Sequence, residues 1–77
     1  MTKEELKKLV GANIRKKRIK RNFTRKELAE YLSLSPLTIS AIERGSRNMS
    51  NLSLVRTADL FDIEIDCLFC EKYKHMN

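Results

Sequence analysis

Apolar residues recur at helical spacing through most of the chain. The first such run spans about residues 3–20, and one face of it carries four apolar side chains and an arginine: Leu6, Leu9, Val10, Ile14 and Arg18. No stretch alternates apolar and polar residues cleanly enough to predict a strand. The pattern therefore predicts an all-α fold.

Capping residues predict where the first two helices begin. Thr2 and Glu5 have the spacing of a capping box, in which each side chain bonds the backbone N–H of the other residue. Thr24 and Glu27 repeat this spacing and open the second predicted helix, "TRKELAEYL". The inward face of this second helix is formed by Leu28, Ala29 and Leu32.

A short turn, "SLS" at residues 33–35, separates the second helix from a third. Ser35 is the predicted N-cap, and Pro36 occupies the first helical position, where the missing N–H of proline costs little. Gly45 suits the position just past the helix end. The residues Ile39 and Ile42 would then point inward.

The remainder of the chain predicts two more helices. The fourth spans about residues 52–61, with Ser50 or Asn51 as its cap. Its inward stripe consists of Leu54, Ala58 and Phe61. A short fifth helix is predicted over about residues 66–72. The expected architecture is one compact five-helix domain over residues 1–77.

Composition and charge narrow the class of protein. A chain of 77 residues is close to the lower limit for a self-sufficient core, and 42% hydrophobic residues favour a folded domain. The apolar runs are too short for a membrane span, and the first residues lack the apolar core of a signal peptide. We therefore expect a cytoplasmic protein without a membrane partner.

Positive charge is concentrated at the front of the chain. The net charge is +6, but residues 1–26 hold 11 Lys and Arg against 2 Glu, whereas residues 27–77 hold 5 Lys and Arg against 8 Asp and Glu. Such asymmetry indicates one side that faces a polyanion, with a solvated lysine-rich helix as the alternative.

The second and third predicted helices have the plan of a helix-turn-helix, over about residues 24–44. In this plan one helix braces the next across a tight turn, so that the second helix can enter the major groove of DNA. A small residue, Ala29, lies where the two helices would cross. Apolar anchors follow the turn at Leu34, Ile39 and Ile42.

Four segments carry a resemblance to a known family: "IR..R", "T..ELA", "IS.IERG.RN" and "AD.FDI". In order and spacing they resemble the lambda-repressor/Cro, or Xre-type, helix-turn-helix family over about residues 10–69. The segment "IERGSRN" is also similar to controller proteins of restriction-modification systems. The resemblance implies a five-helix, lambda-repressor-like domain that regulates transcription and binds a pseudo-palindromic double-stranded DNA operator as a homodimer. RNA polymerase is a candidate further partner, and the resemblance implies a nucleoid-associated protein of bacterial or phage origin.

The resemblance also implies which residues face DNA bases: Pro36, Leu37, Thr38, Ser40, Ala41 and Arg44. Here the chain departs from its family, because positions 36, 37 and 41 lack the usual Arg, Gln or Lys. Bidentate reading of guanine or adenine is therefore excluded at these three positions. Contacts with thymine methyl groups and short hydroxyl contacts remain, and Arg44 is the one long donor. Plain helix surface is the alternative for Thr38 and Ser40.

Phosphate contacts and one ion pair follow from the same resemblance. The predicted phosphate contacts are Thr24, Arg25, Arg47 and Asn48, of which Arg25 stands where relatives often carry glutamine. A solvated cation is the alternative for Arg25. Arg18 and Glu43 are expected to form a structural ion pair between the first and third helices, the alternative being a weak surface pair.

Apolar residues outside the inward stripes indicate a dimer interface in the C-terminal region, about residues 50–72. The expected interface residues are Leu52, Val55, Ile63, Ile65 and Phe69. Packing into the core, at slightly different helix boundaries, is the alternative for this group and for Leu60.

Other classes of function have weaker support. An antitoxin-like module would use the tail, residues 71–77, to bind a protein partner, and it would keep an autoregulatory DNA-binding domain. An RNA binder would need more aromatic residues for stacking. Cys67, Cys70 and His75 are one ligand short of a closed zinc site. No catalytic residue, cofactor, metal or small-molecule substrate is predicted, so an enzyme is not expected.

Overall fold

The computed structural model describes residues 1–71, and every described regular element is helical. Four α-helices are followed by one 3₁₀ helix: α1 Lys3–Lys20, α2 Arg25–Leu32, α3 Pro36–Glu43, α4 Asn51–Phe61 and η1 Ile65–Leu68. The all-α class and the bounds of α1 to α3 agree with the sequence prediction. None of the helices described is long and apolar enough to cross a membrane.

Local hydrogen bonds begin each α-helix where the sequence predicts. Both capping boxes are formed, with the Thr2 hydroxyl accepting from Glu5 N–H and the Thr24 hydroxyl accepting from Glu27 N–H. The Ser35 hydroxyl caps α3. At the start of α4 the choice between two caps is resolved in favour of Ser50, so this helix begins at residue 51.

The predicted five-helix architecture is corrected at its last element. Residues 66–72 do not form an α-helix: the 3₁₀ helix η1 is one short turn, and residue 72 lies outside the described part. This end of the chain is tied to α1, where the Asn13 side-chain amide donates to the carbonyl oxygens of Leu68, at 3.0 Å, and Cys70, at 2.8 Å. Two carbonyl oxygens that are not paired within a helix are satisfied in this way by a side chain from the other end of the chain.

The core lies where α1, α2, α3 and α4 meet, and η1 packs against α1 and α4. Its fully buried side chains include Ile14, Leu28, Ile39, Phe61 and Leu68. The predicted inward stripe of α1 is only partly correct. Its last two members, Ile14 and Arg18, are buried, whereas Leu6, near the start of the helix, is exposed.

The crossing of α1 and α3 depends on Gly11. A Cβ atom at this position would overlap the carbonyl oxygen of Ile42 and would lie 3.0 Å from that of Glu43. The missing side chain lets the two helix backbones approach closely. This contact brings the end of α3 beside α1, where Arg18 meets Glu43.

Candidate nucleic-acid interface

The turn between α2 and α3 fixes the angle at which α3 is presented. Ser33 ends α2 in the left-handed conformation, with φ of 58°, and the backbone N–H of Leu34 donates to Ala29 O at 2.8 Å. Ala29 is almost fully buried at the crossing, as predicted. Because Ile39 and Ile42 hold the inner side of α3 in the core, the opposite side is left for solvent.

That outer side of α3 carries the six predicted base-contact residues. Pro36, Leu37 and Arg44 are exposed, and Leu37 is 82% exposed. The other three are half-buried beside them: Thr38, Ser40 and Ala41. An aliphatic side chain this exposed on a short, otherwise well-packed helix provides apolar surface of the kind that contacts a thymine methyl group.

Hydrogen bonds already engage the two short hydroxyl groups on this side. The Thr38 hydroxyl lies 2.9 Å from the Ser35 hydroxyl, within the cap of α3. Arg44 Nη1 donates to Ser40 Oγ at 2.7 Å, one turn back along the helix. The Ser40 hydroxyl therefore holds the side chain of Arg44, the one long donor among the six predicted base-contact residues.

All four predicted phosphate contacts are exposed residues, and of their two arginines only Arg25 has an ion pair within residues 1–71. The other three are Thr24, whose hydroxyl caps α2, and Arg47 and Asn48 in the loop after α3. The loop residues border a groove of about 500 Å³ together with Lys3 and Lys7 from the start of α1. Glu4 also lines this groove and pairs with Lys7 at 3.3 Å, so Lys3 and Arg47 are the positive charges at this edge that have no ion pair within residues 1–71.

A buried ionic cluster joins α1, α2 and the end of α3. Arg18 Nε donates to Glu43 Oε2 at 2.7 Å, and Arg18 Nη1 donates to the carbonyl oxygen of Phe23 at 2.8 Å. Arg25 Nε donates to the other oxygen, Glu43 Oε1, at 3.0 Å. The predicted pair of Arg18 and Glu43 is therefore present in the structure as part of a three-residue cluster, which sequence reasoning did not anticipate.

The residues expected at a dimer interface fall into two groups. Leu52 and Val55 lie one turn apart on α4 and are 69% and 53% exposed, and Phe69 is exposed after η1. Ile63 and Ile65, together with Leu60, are partly buried against the core. For these three residues, packing against the core, the alternative that the sequence left open, accounts for part of the apolar surface.

Sequence reasoning also missed one brace between α4 and the helix-turn-helix. Arg56 Nη2 donates to Tyr31 O at 2.7 Å, and its guanidinium lies 5.0 Å from the centre of the Tyr31 ring. This arginine satisfies a carbonyl in the last turn of α2, where positive charge is favourable. The sequence offered no local signal for it, because the two residues are far apart in the chain.

Two alternatives weighed from the sequence, a zinc site and a partner-binding tail, concern the C-terminal end of the chain. Cys67 and Cys70 are free thiols, both half-buried. Residues 1–71 contain no group of three His, Cys, Asp or Glu side chains placed to hold a metal ion. His75 and the rest of the proposed partner-binding tail, residues 72–77, lie outside the described residues.

Comparison with known proteins assigns the chain to a family. Residues 14–66 match the helix-turn-helix family model HTH_3. No curated protein gives a significant sequence match. The restriction-modification controller protein C.AhdI from Aeromonas hydrophila is 26% identical, with a TM-score of 0.79 over 90% of this chain and 100% of that chain.

Two further solved structures agree with this assignment. The clp gene regulator ClgR from Corynebacterium glutamicum is 28% identical, with a TM-score of 0.77 over 82% of this chain and 67% of that chain. A point mutant of the controller protein C.Esp1396I is 31% identical, with a TM-score of 0.70 over 83% of this chain and 81% of that chain. The chain therefore belongs to the Xre-type helix-turn-helix family, whose members are DNA-binding transcription regulators.

Proposed function

We propose that the chain is a homodimeric regulator that reads a pseudo-palindromic operator through α3. The outer side of α3 carries this proposal, because its six predicted base-contact residues lie together there, opposite the buried anchors. Two such helices in a dimer would enter successive major grooves about 34 Å apart. The similarity to C.AhdI and C.Esp1396I favours a controller-type role.

The chemistry of the α3 surface limits how it reads sequence. Leu37 and Ala41 offer apolar contact with thymine methyl groups, and Arg44 offers the one long donor. The hydroxyl groups of Thr38 and Ser40 already have partners within the protein. Specificity should therefore depend on thymine positions, on one arginine contact and on sequence-dependent DNA shape.

Backbone contacts would set the register of the protein on the duplex. Thr24 and Arg25 lie at the start of α2, where free N–H groups and the helix dipole favour a phosphate. Arg47 and Asn48 supply exposed donors from the loop after α3. Phosphate contacts of this kind contribute affinity and salt dependence without reading sequence.

The dimer would form through the exposed face of α4. Leu52 and Val55 on α4 would contribute exposed apolar surface together with Phe69 after η1, and the partly buried Ile63 and Ile65 would add to it. Exposed aliphatic residues one turn apart are suited to an isologous contact between two copies. We accordingly propose a dimerisation region over about residues 50–72, of which residues 50–71 are described.

Selection of bound sequences from a random duplex library tests the reading of DNA. We expect two half-sites related by a two-fold axis, with centres about 10 base pairs apart, and thymine enriched within each half-site. The variant Leu37→Ser should lose the preference for thymine at one position of each half-site. Ile19→Ser, which replaces an exposed aliphatic residue on α1, is the matched control. Recovery of unenriched sequences by the unaltered protein would refute sequence-specific binding.

Sedimentation equilibrium tests the dimer independently. The protein, whose chain mass is 9.0 kDa, should sediment as a dimer at micromolar concentration. The double variant Leu52→Ser/Val55→Ser should shift it to a monomer, whereas Ile19→Ser should not. A monomer at tens of micromolar for the unaltered protein, with and without operator DNA, would rule out the dimer.

A further inference from the structure

A buried carboxylate lies between two arginines of different exposure. The Glu43 side chain is 2% exposed, and it accepts hydrogen bonds from Arg18, which is 8% exposed, and from Arg25, which is 43% exposed. The three residues come from the end of α3, from α1 and from the first position of α2. The cluster therefore runs from the core of the domain to its surface.

The two arginines use their donors differently. All three guanidinium nitrogens of Arg18 have a partner: Nε and Nη2 donate to Glu43, and Nη1 donates to Phe23 O. Arg25 donates to Glu43 through Nε alone. Within residues 1–71 its two terminal nitrogens have no hydrogen-bond partner, so four N–H groups remain for a ligand.

The charges of the cluster leave one positive charge at the surface. Arg18 balances the charge of Glu43 in the core, where both are almost completely buried. The positive charge of Arg25 is then in excess, and it is carried by the guanidinium that still has free donors. Without Arg18, the negative charge of Glu43 would compete with a phosphate for Arg25. Because Arg18 neutralises that charge, Glu43 mainly fixes the orientation of the Arg25 guanidinium.

We propose that Glu43 is a positioning residue that aims the terminal nitrogens of Arg25 at one backbone phosphate of the operator. This inference rests on the proposed DNA-binding function and adds to it how a phosphate is held. With Nε fixed, the planar guanidinium presents Nη1 and Nη2 together, in the geometry that binds two oxygens of one phosphate. Because the side chain is already ordered, it loses less conformational entropy on binding.

The variant Arg25→Lys distinguishes an aimed guanidinium from a side chain that acts only through its positive charge. Lysine keeps the charge, but its single ammonium group has no second nitrogen with which to hold Glu43 while it binds phosphate in a fork. If Arg25 acts only through its charge, the replacement should have little effect. If Glu43 aims its fork, the replacement should weaken binding although the charge is unchanged.

The experiment measures the affinity of the full chain for the operator duplex obtained by library selection, at fixed salt. We expect Arg25→Lys to weaken binding about tenfold, with an unchanged thermal midpoint. Arg15→Lys, which changes an exposed arginine of α1, is the matched control and should stay within about twofold. An effect of Arg25→Lys as small as that of the control would overturn the proposal.

The variant Glu43→Gln tests the positioning residue itself. Where it folds, replacing Arg25 by lysine in its background should cost clearly less affinity than in the unaltered protein, because a neutral amide oxygen holds Nε more weakly than a carboxylate. A full tenfold loss in that background would contradict the role of Glu43. If Glu43→Gln does not fold, the comparison of Arg25→Lys with Arg15→Lys decides. Failure of the unaltered protein to bind any selected duplex would instead refute the proposed function.

Discussion

Removing Arg18 should destabilise the domain far more than removing Arg25, although both bond the same carboxylate. We consider Arg18→Met, because methionine keeps much of the apolar stem while it removes the charge and the donors. The change leaves Glu43 buried beside Arg25, whose side chain is 43% exposed, and it removes the donor to Phe23 O. Arg25 compensates only weakly, since solvent screens a half-exposed charge.

The expected cost follows from the burial of the pair. Breaking a buried ion pair by removing one partner typically costs about 3–5 kcal/mol, and the remaining contact with Arg25 puts Arg18→Met near the lower end, at about 3 kcal/mol. A domain of this length has a total free energy of unfolding of about 4–12 kcal/mol. We therefore expect the thermal midpoint to fall by about 12–24 °C.

Urea unfolding followed by the helical circular dichroism signal measures these free energies. Arg25→Met should cost less than about 1 kcal/mol, as expected for a partly exposed pair. Arg15→Met, at an exposed position of α1, the helix that carries Arg18, should change the free energy of unfolding by less than about 0.5 kcal/mol. The double variant Arg18→Met/Glu43→Met should be more stable than Arg18→Met alone, because it leaves no unbalanced buried charge.

Two results would refute this reasoning. If Arg18→Met lay within about 1 kcal/mol of the unaltered protein, the cluster would behave as a surface pair. If Arg25→Met cost as much as Arg18→Met, the burial of the two arginines would not determine their contributions.

Three further predictions concern separate contacts. Gly11→Ala should lower the free energy of unfolding by about 1–3 kcal/mol in urea titrations, because the new Cβ would overlap a carbonyl oxygen of α3. Hydrogen bonds from the Thr2 backbone and hydroxyl lower the pKa of Glu5, so its contribution should be complete above its unfolded pKa and lost as pH falls through the folded value. The difference in thermal midpoint between Glu5→Ala and the unaltered protein should therefore disappear in acid. Ser40→Ala and Arg44→Ala should change base preference at the same base pair in library selection, since the serine hydroxyl holds the arginine.

Each of these predictions has a contradicting outcome. Unaltered stability of Gly11→Ala, compared with Ala12→Ser at the exposed neighbouring position, would mean that the two helices do not approach as closely as the structure indicates. A pH-independent effect of Glu5→Ala would mean that helix propensity, and not the ionised carboxylate, accounts for it. Effects of Ser40→Ala and Arg44→Ala at two different base pairs would mean that the serine contacts DNA itself.

The sequence alone determined where α1, α2 and α3 begin, and for α4 it narrowed the cap to Ser50 or Asn51. Each start depends on a hydroxyl that bonds an N–H group three residues ahead, as in Thr2 with Glu5 or Ser35 with Thr38. Such bonds are local, so spacing in the sequence is sufficient to predict them. The resemblance to the Xre-type family likewise located the helix-turn-helix and implied which residues of α3 face outward.

Only the tertiary structure decided the contacts between distant parts of the chain. The last predicted helix is a single 3₁₀ turn, and Asn13, more than fifty residues earlier, holds it by bonding the carbonyl oxygens of Leu68 and Cys70. Arg25 gained a carboxylate partner only because Gly11 lets α3 approach α1 closely enough to bury Glu43 beside Arg18. Nothing in the local sequence around these residues encodes such pairings, since they depend on how the packed helices bring side chains together.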